Sequence, residues 1–106
     1  MEISKQDWNL FQTKIVFWQE SYMERLNREY LDILTREGSP SDKFWQLEKR
    51  INTDKRCYGV AIRMQKQDLV YDLATLIHDG VITFADIDEF SEGLKENVTY
   101  LCGNRF

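Results

Sequence analysis

From Ser4 to Glu37 the chain carries neither glycine nor proline, and Gly38 is the first residue that would break a helix. Over that stretch Trp8, Phe11, Ile15, Trp18, Tyr22, Leu26, Tyr30 and Ile33 recur at steps of three and four, which places them on one helical face. Leu10, Phe17, Leu31 and Leu34 read as widening that face into a broad stripe. Ser4 with Asp7 gives a start signal, a side chain able to satisfy backbone N–H groups left open at a helix N-terminus. So much aromatic surface cannot stay in water, so this helix must be the floor of a core.

The remaining chain supplies elements to cover it. Gly38 closes the first helix, and Ser39, Pro40 and Asp42 open a second at once. That second helix is expected from Pro40 to Asn52, with Phe44, Leu47 and Ile51 turned inward and Trp45 beside them. The short connection implies an antiparallel hairpin. A loop then runs to about Tyr58, and a third helix is expected from Gly59 or Val60 to His78, stopped by Asp79-Gly80. Val81 and Ile82 form a short extended bridge. Thr83 with Asp86 starts a last helix, expected to reach Cys102 with Phe84, Ile87, Phe90, Leu94, Val98 and Leu101 inside. Residues 103–106 should fray unless Phe106 docks on the core. The expected fold is all-α: about four helices in a single domain over residues 1–106, with one long N-terminal helix and the shorter ones packed on it as a bundle.

Composition narrows the class. Hydrophobic residues at 42% and aromatics at 13% support a packed core and exclude disorder. No apolar run is long enough for a membrane span, and the N-terminus lacks a signal-peptide layout, so a cytoplasmic location is expected. In that compartment Cys57 and Cys102 read as two buried thiols rather than a disulfide.

Catalytic and metal chemistry find little support. The stretch from Asp79 to Phe90 has an outline of a calcium loop, but the alignment puts Thr75 and Ile77 where carboxylate or carbonyl oxygens are needed. His78 is the only histidine, and with two distant cysteines it forms no zinc spacing and no Cys–His pair; at a helix C-terminus it reads as a dipole partner. No glycine-rich phosphate loop occurs. No cofactor and no metal are expected, and no enzymatic activity.

Charge is what remains, and it is segregated: net −3 over residues 1–42, +5 over 43–66 and −6 over 67–106. Two surfaces follow. Asp86, Asp88, Glu89, Glu92 and Glu96 lie on the last expected helix, where Glu89, Glu92 and Glu96 would share a face able to imitate nucleic-acid phosphates in a partner's basic groove. Lys43, Lys49, Arg50, Lys55, Arg56, Arg63 and Lys66, interleaved with Trp45 and Tyr58, form the alternative, a nucleic-acid contact. A third possibility is a homodimer in which two copies share the wide stripe of the first helix.

The pieces Arg56-Cys57-Tyr58-Gly59-Val60, LVYDLATLIHDGVIT from Leu69 to Thr83 and DIDEFS from Asp86 to Ser91 resemble small helical proteins carried by mobile elements of Gram-positive bacteria. Some proteins of that kind are anti-CRISPR inhibitors of type II effector nucleases. The resemblance implies a non-enzymatic inhibitor or accessory factor with a protein partner, such a nuclease being the candidate it names. It carries over no functional residue.

Overall fold

In the computed structural model, which describes residues 2–105, a first helix, α1 (Lys5–Thr35), sets the long axis of a particle measuring 53 × 27 × 22 Å. Ser4 caps it, its Oγ accepting from the Asp7 amide at 3.0 Å. Helices α2 (Pro40–Asp54), α3 (Leu69–His78) and α4 (Glu92–Arg105) follow, with 3₁₀ turns at Lys66–Asp68 and Phe84–Ile87. The described residues are all helix, turn or loop, with no strand. The expected all-α architecture, a long first helix with shorter ones packed against it, is the one observed.

The main core sits on the N-terminal half of α1. Phe11 and Ile15 meet Leu69, Leu73 and Leu76 of α3, Ile87 and Phe90 of the following turn, and Leu94 and Val98 of α4. Trp8 and Trp18 pack at its margin, each tilted against Phe11 with ring centroids 5.9 and 6.2 Å away. Further along α1, Leu26 and Ile33 are also buried but lie apart from this cluster, on the stretch that α2 flanks. The molecule is thus a body, built from α1, α3 and α4, with a two-helix arm extending from it.

A carboxylate distant in sequence joins the two ends of the body. Asp7 is buried, and its two oxygens accept from the Ser91 amide (3.0 Å) and the Ser91 hydroxyl (2.6 Å). Ser91 stands at the cap of α4, its carbonyl taking the Lys95 amide. One residue near the start of α1 therefore satisfies donors at the start of α4. On the other side Arg25 donates to the Gly80 carbonyl at 2.8 Å, tying the end of α3 to mid-α1. Gly80 adopts φ 74°, and with Val81 N–H bonding Leu76 and Gly80 N–H bonding Ile77 it makes a Schellman end to α3, as Asp79-Gly80 predicted.

Several expected elements need correction. Residues 61–65 form an irregular segment rather than the start of a third helix, and α3 begins only at Leu69; Ala61 and Met64 lie exposed. The last expected helix is broken, because Ile87 and Phe90 both turn into the core before α4 starts at Glu92. Phe84, expected inside, is exposed. Residues 103–105 continue α4 instead of fraying, and Phe106 falls outside the described residues. Cys57 and Cys102 are unpaired and half-buried, not fully buried.

The largest correction concerns α2, which buries none of its side chains. The seam it presents to α1 is polar. Arg50 pairs with Glu29 (3.1 Å) and Asp54 (3.4 Å) and lies over the Tyr30 ring, while Tyr30 donates to Asp54 at 2.6 Å. Burial, and then the Asp54 bond, push the Tyr30 phenol up to about 12. Because these groups occupy the seam, the apolar line Phe44, Leu47 and Ile51 is rotated out of it; Phe44 and Ile51 are exposed.

Candidate functional site

The rotated stripe of α2 has a counterpart on α1. Gln12, Val16, Gln19, Met23, Asn27, Tyr30 and Leu34 follow one another at steps of three and four, a second line about a quarter turn from the core face. Leu34, expected in the core stripe, is exposed, and so is Val16. Along this line, residues 60–64 and the α2 stripe lie three depressions that share lining residues and are together called the trough below. The first, about 500 Å³, is lined by Ile15, Val16, Val60, Ile62 and Met64 with Gln12 and Gln19. The second, about 260 Å³, adds Met23, Leu26, Asn27, Tyr30 and Ile51, and shares Val60 with the first. The third, about 240 Å³, is bounded by Phe44, Leu47, Glu48 and Asn52, and shares Ile51 with the second.

The walls are held firmly. The loop crossing α1 is fixed where Gln19 donates to the Tyr58 carbonyl (3.0 Å), and Gly59 lies so close to Tyr22 that an added Cβ would meet the ring at 2.3 Å. Only glycine permits that approach. The Tyr22 phenol, hydrogen-bonded to Cys57, is pushed up to about 12 chiefly by burial, and the Arg25 guanidinium sits 5.0 Å from its ring centre. At the far end Phe44 and Trp45 meet edge to face (4.9 Å, 87°) and both project into solvent. Glu48 is the one charged side chain lining the three depressions; amides supply most of the other polar groups. Apolar walls with few charges are the composition of an interface centre.

The acidic residues do not form one helical face. Asp86 accepts from the Thr83 amide (2.7 Å) and hydroxyl (3.1 Å), holding the 3₁₀ turn. Asp88 follows that turn, and its carbonyl accepts from Lys95. Glu89 precedes α4 and pairs with Lys14 at 2.9 Å; Glu92 opens α4 and pairs with Lys95 at 2.9 Å. Only Glu92 and Glu96 belong to α4, so the expected row from Glu89 to Glu96 on a rigid helix is interrupted at Phe90 and Ser91.

The basic residues are equally dispersed. Arg50 is engaged in the seam and Lys43 is half-buried near Gly38 at the arm's tip. Lys49, Lys55 and Arg56 are exposed around the end of α2, while Arg63 lies within residues 61–65, where the Gln65 amide can accept from it at 3.0 Å, and Lys66 follows them. Tyr58, read as a stacking platform, is half-buried.

Among the described residues no three His, Cys, Asp or Glu side chains gather as a metal site would need, and no helix is long and apolar enough to cross a membrane. No family model, no curated protein and no solved structure matches the chain.

Proposed function

We propose that this chain is a non-enzymatic protein-binding module whose contact surface is the trough between α1, α2 and residues 61–65. The single observation that supports the reading is the exposure of Val16 and Leu34 on α1 and of Phe44 and Ile51 on α2, with half-buried Met23 and Leu47 beside them, along depressions lined mainly by apolar side chains. Apolar walls framed by amides suit a helical protein surface, where anchors at three- and four-residue spacing fill successive depressions. Such a module acts by occupying a partner, as an inhibitor or accessory factor of a mobile element does, and an effector nuclease of the type II class is the first partner to try. The charged surfaces then steer encounter rather than carry the contact.

The test is affinity capture from the native host with three baits: the parent, a Val16→Glu/Phe44→Glu variant, and a Glu89→Lys/Glu92→Lys/Glu96→Lys variant. Proteins held by the parent and by the acidic-face variant, and lost from the trough variant, support the reading. Retention by the trough variant with loss from the acidic-face variant overturns it. Recovery of nucleic acid, with binding that falls steeply with salt, would favour the basic residues instead.

A further inference from the structure

We propose that the segment from Cys57 to Gln65 is a pH-released strap over α3, closed while Asp72 beneath it is protonated and lifted when that carboxyl ionises. The strap is anchored at both ends. Just past the C-terminus of α3 the Cys57 thiol donates to Asp79 at 3.8 Å. Just before its N-terminus the Gln65 amide, in the orientation its neighbours require, donates to Asp68 at 2.9 Å. Asp68, Asp72 and Asp79 follow one another at steps of four and seven, so they line one edge of α3 over about 16 Å. The strap therefore runs antiparallel to α3 along that edge, with Asp72 between its anchors. Tyr58 agrees with this course: after burial, Asp72, Tyr71, Asp68 and Asp79 in that order raise its phenol, which sets the ring over the same edge.

Asp72 is 3% exposed, yet its Oδ2 has no hydrogen-bond partner. Its surroundings disfavour a charge. Asp68, one turn earlier on α3, repels it. Arg63, a cation of the strap, is held by the Gln65 amide at 3.0 Å, and Lys66 lines a depression with Glu2 and Ile3. Against α3, α1 sets Phe11 and Ile15, and α4 sets Leu94 and Val98. Arg25 of α1 is bound to the Gly80 carbonyl. The Cys102 thiol of α4 meets the Ala74 carbonyl, two residues on from Asp72 and so on the opposite side of the helix. Burial, aided by Asp68, raises the Asp72 carboxyl from 3.8 to about 7. Once ionised it needs water. On the core side water enters only by unfolding Leu69, Leu73 and Leu76, which are fully buried. The strap buries none of its side chains, and residues 61–65 carry no regular structure, so lifting it is the lower-energy route. The closed state keeps a proton that the open state releases near pH 4, so opening grows as pH rises from about 4 to 7 and levels off above. Val60, Ile62 and Met64 belong to the strap, and lifting it removes one wall of the 500 Å³ depression.

The experiment is native-state amide hydrogen exchange on the full chain at pH 5 and pH 7.5, with rates corrected for the intrinsic effect of pH. The strap is read at the Val60 and Ala61 amides, which bond the Cys57 carbonyl at 2.9 and 3.0 Å, and the core at Leu73 and Val98. The parent's strap should open more readily than its core at both pH values, and its opening constant should rise at least tenfold between them. In Asp72→Asn, which cannot ionise, that rise should shrink below about twofold. The Asp72 carboxyl carbon, followed by NMR in the parent, should titrate with the same midpoint as the loss of strap protection, a measurement that needs no variant. An Asp72 already ionised at pH 5, strap opening equal to core opening, or the same rise in a folded Asp72→Asn would overturn the proposal.

Discussion

Replacing Gly59 with alanine should destabilise the protein, although the same change in an ordinary loop stabilises. Alanine at a compatible position contributes about 0.4–1 kcal/mol by restricting the unfolded chain. Gly59 lacks the positive φ that would make alanine strained, so conformation alone does not oppose the change. What opposes it is Tyr22: the new methyl would lie 2.3 Å from Cδ2 and 2.8 Å from Cε2 and Cγ. Carbon atoms rest about 3.5–4.0 Å apart, so ring or loop must shift by more than an ångström. The ring is confined by Arg25 and Cys57, and the loop by Gln19. Overpacking of this kind costs about 1–3 kcal/mol, which exceeds the entropic gain and leaves a net loss of about 1–2 kcal/mol. At about 4–8 °C per kcal/mol, Tm should fall by roughly 5–15 °C. Thermal unfolding of four proteins decides it: parent, Gly59→Ala, Tyr22→Ala and the double variant. With the ring removed, Gly59→Ala should become neutral or stabilising. An equal loss in both backgrounds, or no loss in the parent, would refute the reasoning.

Asp7→Ala should cost about 2–4 kcal/mol in urea unfolding, since it strands two Ser91 donors, and Asp7→Asn should cost less because one acceptor survives. Asp72 is buried with Oδ2 unpartnered, and burial, aided by Asp68, raises its carboxyl from 3.8 to about 7. The folded state then holds a proton that the unfolded state has lost, so stability should fall as pH rises from about 4 to 7, by roughly 2–4 kcal/mol. Asp72→Asn should flatten that slope in unfolding measured at pH 5 and pH 8; an unchanged slope would show that another group titrates. Trp18→Ala should lower stability by about 3 kcal/mol, near the low end for a tryptophan because the ring is only half-buried, and a melt matching the parent would place Trp18 in solvent.

The core line of α1 was legible because a breaker-free run with apolar steps of three and four has one physical solution; Phe11, Ile15, Leu26 and Ile33 are all buried. The stop at Asp79-Gly80 was equally plain, since local backbone chemistry sets it, whereas α1 ends at Thr35 with Arg36 extended, before the glycine expected to close it. The inner face of α2 was not legible. Its apolar spacing is helical, but which line faces α1 depends on the Arg50–Glu29–Asp54–Tyr30 cluster, whose members meet only after the hairpin forms. The same holds for Asp7, which reads as a local capping residue while its carboxylate serves Ser91 across the body. The break before α4 follows from two core residues, Ile87 and Phe90, that helical periodicity accepts as readily as a turn does. The trough had one signal in the sequence, a second line through Val16, Met23 and Leu34. Of that line only Leu34 enters the expected stripe, because Val16 and Met23 stand among polar neighbours at the same spacing.

Hydroxyl-radical footprinting tests most directly whether the trough is the contact surface. Met64 lines the hollow and Met23 the middle of the trough, and both side chains oxidise readily. Tyr100, strongly exposed on α4 and lining none of the three depressions, serves as the internal reference. Oxidation of Met23 and Met64 relative to Tyr100 is compared between the protein in buffer and the same protein in host extract. The account predicts a fall of several-fold in both methionine ratios, with Val16→Glu abolishing it. Unchanged methionine ratios, together with protection around Glu92 and Glu96 or around Lys49 and Lys55, would contradict it.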